Sequence, residues 1–364
     1  MIALALMLLQ DGVNEVKVQQ AIQKGIEYLR TSVSPDFMGA YGSSDELFLL
    51  TFLHAGVPVD DPKVKELFKS VVAAPMKRTY KVSIQAMCLE KIDAAKYQEK
   101  IALCGQFLVD NQGKNGQWAY GNMTESTQKT VAAPDPLPPV AGGGKPAAKP
   151  KLPKIQLQKS GDGPDTGDNS NSQYAALGLR ACFDANVHAP KETLERAIKG
   201  WKDTQFGTTR KDKDGKVLTV SGIKSDGWGY KASGQDERGV YFAMTAGAFG
   251  SLTIYNHLLG KNFKNDALVK SSLQWLMDNF KIDPTDEYGL YALERGGVMY
   301  GTETIGPHRW YPAGAGALIN AQNADGSWSK DSPEWNGKAW DTCFAILFLR
   351  RATRPLVASG VMPR

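Results

Sequence analysis

Five polar residues stand where apolar helical stretches are expected to begin: Asp45, Asp168, Asn169, Asn171 and Asp341. At a helix start, short carboxylates and carboxamides accept the free backbone N–H groups of the first turn, so capping is one reading of each. The other reading is ligation. Several helix N-termini gathered at one mouth offer N–H groups and partial positive charge to an anionic or strongly polar ligand, and Trp340 beside Asp341 would supply an aromatic wall. A second set begins at Tyr288 and ends on Glu294 and Arg295, within an otherwise apolar stretch. Charge in such a helix must be paired or face a cavity. Tyr291 lies one helical turn from Tyr288 and from Glu294 and Arg295, so part of the set shares a face. It reads as a network bracing neighbouring helices or as a pocket wall. The expected ligand-binding residues are therefore Trp340, Asp341, Asn171, Asp168, Asp45, Tyr291, Glu294 and Arg295, with Asp341 the best candidate for a catalytic acid.

Other chemistries find less support. Asp341-Thr342-Cys343 has an Asp-x-Cys spacing, but no histidine follows it, and His54, His188, His257 and His308 form no ligand pair on a helix face. No metal and no cofactor is expected. Cys88, Cys104, Cys182 and Cys343 lie inside expected helices without a CxxC spacing, and they read as small buried hydrophobes. The formal charge of +5 on 364 residues gives no reason to expect a nucleic-acid partner. Trp118, Tyr120, Trp228, Tyr230, Trp328 and Trp335 are numerous enough to line a cavity, but most fall at the joints between helices and read first as structure.

Two kinds of helix must position these groups. One is amphipathic, as in Val18, Ile22, Ile26 and Leu29, in Leu194, Ala197, Ile198 and Trp201, and in Val269, Leu273, Leu276 and Phe280. The other is apolar nearly all round, as around Leu47–Leu53, Tyr174–Leu179 and Cys343–Leu349, and must be buried on both sides. The amphipathic kind is expected to begin near Asn14, Pro62, Tyr97, Pro190, Asp266 and Pro312, and the apolar kind to span 45–55, 80–90, 169–184, 244–258, 288–295 and 340–351. Pairing them predicts about six helical hairpins in one all-α domain covering 11–122 and 169–352. The junctions repeat too: Gly56 and Asn186 suit the left-handed residue that ends a helix, and Pro62 and Pro190 suit the next first turn. Residues 123–168, rich in Pro, Gly, Ala and Lys, read as a disordered insertion. Residues 207–224 read as a polar loop or a short hairpin, and 353–364 as a tail. Residues 1–10 read as a signal remnant or a helix start, with export slightly favoured. No stretch is apolar for long enough to span a bilayer.

Glutamine, glycine and tryptophan recur with one spacing, in Gln112/Gly116/Trp118 and Gln322/Gly326/Trp328, and a broken copy runs from Gln205 to Asp226-Gly227-Trp228. These motifs resemble the QW repeats of squalene-hopene and oxidosqualene cyclases. The alternating helices are similar to the α/α toroid shared by those cyclases, protein prenyltransferase β subunits and complement thioester domains. The resemblance implies a toroid with an inner and an outer ring of helices. Trp340-Asp341-Thr342 resembles the Trp-Asp-Thr that opens an inner helix of bacterial triterpene cyclases, whose proton donor belongs to an Asp-x-Asp-Asp-Thr motif. Here Lys338, Ala339 and Trp340 fill the first three places of that motif, and no Asp-x-Asp-Asp occurs in the chain. A Gly-Cys-Gly-Glu-Gln thioester segment is also missing. The expected function is that of a non-catalytic, monomeric binder of a small molecule or protein partner at the cavity or rim. The alternatives are a divergent terpenoid cyclase-like enzyme and a polysaccharide lyase or glycosidase using groups such as Glu294, Arg295 and Arg309.

Overall fold

The computed structural model describes residues 12–34, 43–124, 127, 137, 152–206, 226–231, 239–329 and 337–356. Helices dominate them: α1 (Glu15–Thr31), α2 (Asp45–Ala55), α3 (Pro62–Ala73), α4 (Thr79–Asp93), α5 (Gln98–Asp110), α6 (Asn169–Asp184), α7 (Lys191–Asp203), α8 (Phe242–Leu258), α9 (Ala267–Asp278), α10 (Glu287–Tyr300), α11 (Trp310–Ala321) and α12 (Gly337–Leu349). Two short ladders accompany them, a parallel pair β1 (Ile155–Gln156) with β2 (Val187–His188) and an antiparallel pair β3 (Thr304–Ile305) with β4 (His308–Arg309). The all-α expectation holds among the described residues, and the two helix types alternate in chain order. Residues 1–10 and 207–224 lie outside the described residues, as do Trp335 and most of 123–151.

By their contacts the residues fall into two compact units, Asp36–Trp201 and Met1–Pro35 with Lys202–Arg364. In the Asp36–Trp201 unit the buried helices α2, α4 and α6 pack side by side, α3 covers α2, and α5 covers α4 and α6. Asp61 caps α3 through the N–H groups of Lys63 (2.9 Å) and Val64 (3.4 Å), with Pro62 in the first turn. Gly56 ends α2 at φ 85° and Asn186 follows α6 at φ 58°, the left-handed turns anticipated at both junctions.

The other unit repeats the plan. Buried α8, α10 and α12 pack in succession, α9 covers α8, and α1 packs on α11 and α12. Glycine permits the closest approach: a Cβ on Gly250 would meet Gly296 Cα of α10 at 3.6 Å, and one on Gly296 would meet the Phe249 ring at 2.5 Å.

The repeated motif is one set of hydrogen bonds used more than once. Gln112 Nε2 donates to Gly116 O (3.3 Å) and to Thr193 O of α7 (2.9 Å). Gln322 Nε2 donates to Gly326 O (2.9 Å) and to Ala21 O of α1 (2.8 Å). The indole N–H groups of Trp118 and Trp328 donate to carbonyls ten residues back, Leu108 O (2.7 Å) and Leu318 O (2.8 Å). The backbone N–H groups of Trp118, Trp228 and Trp328 donate to hydroxyls of the following buried helix: Ser172 (3.1 Å), Thr245 (3.0 Å) and Thr342 (3.0 Å). The broken copy therefore keeps its helix anchor, and Gln205 Nε2 still bonds Asp226 O and Ser271 Oγ, each at 3.0 Å.

Residues 152–168 correct the expectation of disorder. Ile155 N donates to Asn186 O (3.0 Å) and Leu157 N to His188 O (2.9 Å), forming the β1–β2 ladder, and Leu157 is buried. Lys159 Nζ donates to Val109 O and Gln112 O at the end of α5, Ser160 N to Asp110, and Asp168 N to Trp118 O. Apart from Leu152, Ile155 and Leu157 the segment is polar, and it is ordered largely by pairing its polar groups with the scaffold, a source of order that composition does not register.

Candidate functional site

The equivalent hydroxyls Ser172, Thr245 and Thr342 align the three buried helices, so the residues just before them, Asn171, Met244 and Asp341, occupy the same place in the repeat. Thr342 thereby has a structural role, because it donates to Lys338 O (2.5 Å) and accepts from Trp328 N. Asp341 is left to face elsewhere. Because α12 begins at Gly337, Asp341 stands in its second turn, where it accepts the Ser329 hydroxyl instead of capping the helix as expected.

Ser329 follows the motif tryptophan directly and adopts φ 80°, a left-handed conformation uncommon for a residue with a side chain. Its hydroxyl bonds Asp341 and its backbone N–H bonds Glu287, the first residue of α10. Asp286, the N-cap of α10, accepts from Gly289 N at 2.9 Å. Three carboxyl groups from adjacent helices thus gather at the end of the motif.

Burial and mutual repulsion raise the pKa of each. Burial, then the Asp341 charge, pushes the Glu287 carboxyl up to about 8. Burial raises Asp341 to about 6 against the pull of its Ser329 bond, with Asp286 adding repulsion. Asp286 is raised as well, chiefly by burial. Glu287 is 1% exposed, and its Oε1 has no hydrogen-bond partner among the described residues. A buried acceptor left empty costs about 1–3 kcal/mol. Sequence reasoning misses Asp286 and Glu287 because they read as the lead-in to a helix starting at Tyr288. The available signal is an acidic pair one repeat away from Asp341.

The other expected site residues divide. Tyr291 and Arg295 do share a face: the guanidinium lies over the ring, 4.2 Å from its centroid, and the ring stacks on Phe344 of α12 at 6.1 Å. Trp340 is half-buried on α12. Glu294 turns to the C-terminal segment. It is fully buried and accepts Thr353 N (3.0 Å) and Thr353 Oγ1 (2.7 Å), so it fastens the C-terminal segment. Arg309 is exposed on β4.

In the Asp36–Trp201 unit, Asp168 is a helix cap, accepting Asn171 N (2.7 Å) and Asn171 Nδ2 (2.8 Å). Asn171 is buried, and its Oδ1 has no partner among the described residues. Asp45 takes the Ser70 hydroxyl of α3, and Ser44 is the cap position of α2. Glu46 pairs with Lys81 Nζ at 2.7 Å, and burial still raises its pKa.

All four cysteines are buried as free thiols, and Cys343 is held within α12 while Asp341 turns to Ser329. Among the described residues no group of three or more His, Cys, Asp or Glu side chains is arranged to hold a metal ion. No helix among them is long and apolar enough to cross a membrane. The chain matches no family model and no curated protein.

Proposed function

We propose that this chain is an α/α-toroid repeat protein of the squalene-cyclase and prenyltransferase β-subunit kind, and that it binds a small molecule or a protein partner at the carboxyl cluster of Asp286, Glu287 and Asp341. The toroid reading is supported by the strict alternation of amphipathic and buried helices and by the motif hydrogen bonds repeated between them. The binding reading is carried by one observation, the unpartnered Oε1 of buried Glu287 beside Asp341. A buried carboxyl oxygen without a partner is kept in a fold against a stability cost, which supports reading it as part of a ligand site. Binding without turnover is favoured because the acidic neighbours that a triterpene cyclase places before its Asp-Thr are Lys338, Ala339 and Trp340 here.

A second reading, a divergent cyclase-like acid, draws on the raised Asp341 carboxyl, which is partly protonated near neutrality. Incubation with squalene or oxidosqualene, followed by product analysis, separates the two. The binding reading expects no cyclised product. A product that disappears in Asp341→Asn would establish the acid instead.

A further inference from the structure

Residues 152–159 lie on the Asp36–Trp201 unit as a bound peptide lies in a groove. We propose that the groove between α5 and β2 is a docking site for an extended peptide that carries a leucine and, two residues on, a lysine. Residues 152–159 occupy it as an internal ligand, which such a peptide displaces. The site is independent of the carboxyl cluster, whose residues belong to the other unit.

Most of the contact reads backbone. Ile155 N and Leu157 N donate to Asn186 O (3.0 Å) and His188 O (2.9 Å) in the parallel ladder. Scaffold carboxamides take the segment's carbonyls: Asn186 Nδ2 donates to Leu152 O (2.8 Å), Gln98 Nε2 to Pro153 O (2.8 Å) and Gln106 Nε2 to Gln158 O (2.7 Å). Those bonds suit any sequence in an extended conformation. Two side chains add selectivity. Leu157 is buried against α5, where a Cβ on Gly105 would stand 2.8 Å from Leu157 Cδ1, so the helix carries a notch that leucine fills. Lys159 Nζ donates to Val109 O (2.7 Å) and Gln112 O (3.0 Å) at the carbonyl end of α5, the pole of a helix that attracts a cation. Pro153, Lys154, Gln156 and Gln158 are exposed, and Ile155 and Lys159 are half-buried. A strand built into a core would bury every second side chain. Here backbone bonds and one deep pocket hold the segment, which is how a sheet edge takes up a linear peptide. Its connections let it leave. Residues 125–151, which join it to the end of the first motif, span up to about 90 Å when extended. On the other side Gly161 is exposed, and a Cβ there would meet nothing within 4 Å.

A tethered occupant competes at an effective concentration on the order of millimolar, so the wild-type chain binds a free peptide poorly. The experiment is fluorescence anisotropy of a labelled peptide of residues 152–160, Leu-Pro-Lys-Ile-Gln-Leu-Gln-Lys-Ser, titrated with full chains. Leu157→Asp puts a carboxylate where leucine is buried, which undocks the internal segment and frees the groove. That chain should bind the peptide saturably and at least tenfold more tightly than wild type. Adding Gln106→Ala and Asn186→Gly removes two of the carboxamides, while glycine keeps the left-handed turn at φ 58°. Affinity should then fall at least tenfold, and a peptide carrying Leu157→Asp should not bind. If the Leu157→Asp chain fails to fold by circular dichroism, hydrogen exchange of wild type with millimolar peptide gives the answer. The Ile155 and Leu157 amides should lose protection while those of α4 and α6 keep theirs. Equal binding by wild type and a folded Leu157→Asp chain, binding by neither, or amides at 155 and 157 that stay protected overturns the proposal. A wild-type dimer by light scattering that the peptide dissociates would make a second copy of the chain the occupant and overturn the free-peptide partner.

Discussion

Gln322 Nε2 donates to Ala21 O at 2.8 Å, joining residues 301 positions apart and fastening α1 to the loop that follows α11. The same amide also bonds Gly326 O, so one side chain fixes both the turn and the neighbouring helix. Gln322→Leu leaves those two carbonyls without their donor. The expected loss is about 1–3 kcal/mol in urea denaturation, and Gln112→Leu should cost a similar amount. A loss under a few tenths for both would show that the motif amides are replaceable.

Glycine at the motif is required by space as well as by conformation. Gly326 has φ 89°, and a Cβ there would stand 2.5 Å from Lys24 O; Gly116 has φ 86°, and its Cβ would overlap Arg196 O. Gly56 has φ 85° with nothing within 4 Å. Gly56→Ala should therefore cost about 1–2 kcal/mol, the left-handed penalty alone. Gly116→Ala and Gly326→Ala should cost clearly more, because backbone must move. Equal losses in the three thermal melts would refute the steric part.

Much of the fold is legible because it rests on patterns the chain spells out. Helix starts at Pro62 and Asn169 and the turns at Gly56 and Asn186 follow from caps and apolar periodicity. The spacing of the motif glutamines is plain in the sequence, but their backbone partners, Thr193 for Gln112 and Ala21 for Gln322, come from packing. The site is less legible. Asp341 stands out in the sequence, but its partners Glu287 and Ser329 are brought to it by helix packing, and the left-handed turn at Ser329 has no glycine to announce it. Glu294 reads as a pocket group because its partner Thr353 lies in a segment that reads as tail. Residues 152–168 read as structureless because their order comes from pairing with carbonyls elsewhere.

Glu287 and Asp341 make stability fall as pH rises. Both hold protons more tightly when folded, Glu287 at about 8 against 4.5 and Asp341 at about 6 against 3.8. Between those limits the native chain binds more protons than the unfolded one, so ΔG of unfolding decreases with pH. The contribution is complete at the acid end and lost once pH passes the folded values. Glu287→Gln, neutral at every pH, should melt above wild type by about 2–8 °C at pH 8.5, and the gain should vanish near pH 5. A pH-independent difference in scanning calorimetry would mean that Glu287 is not charged at high pH in the folded protein.

Glu294 fastens the C-terminal segment and should report on it. Burial raises its carboxyl to about 7, while the two Thr353 bonds and the charges of Arg295 and Arg351 pull it down. Thr353→Val removes the hydroxyl donor and keeps the backbone one. The carboxyl should then titrate above 7, because one bond that favours its ionised form is gone. The ionised form loses most, so the variant should be destabilised by about 1–3 kcal/mol at pH 8 and by less at pH 5.5. Amide exchange at residue 353 should quicken in step, since the bond from Thr353 N to Glu294 would hold a looser segment. Unchanged exchange, together with a carboxyl that still titrates near 7 by carbon-13 NMR, would show that Glu294 does not anchor the segment.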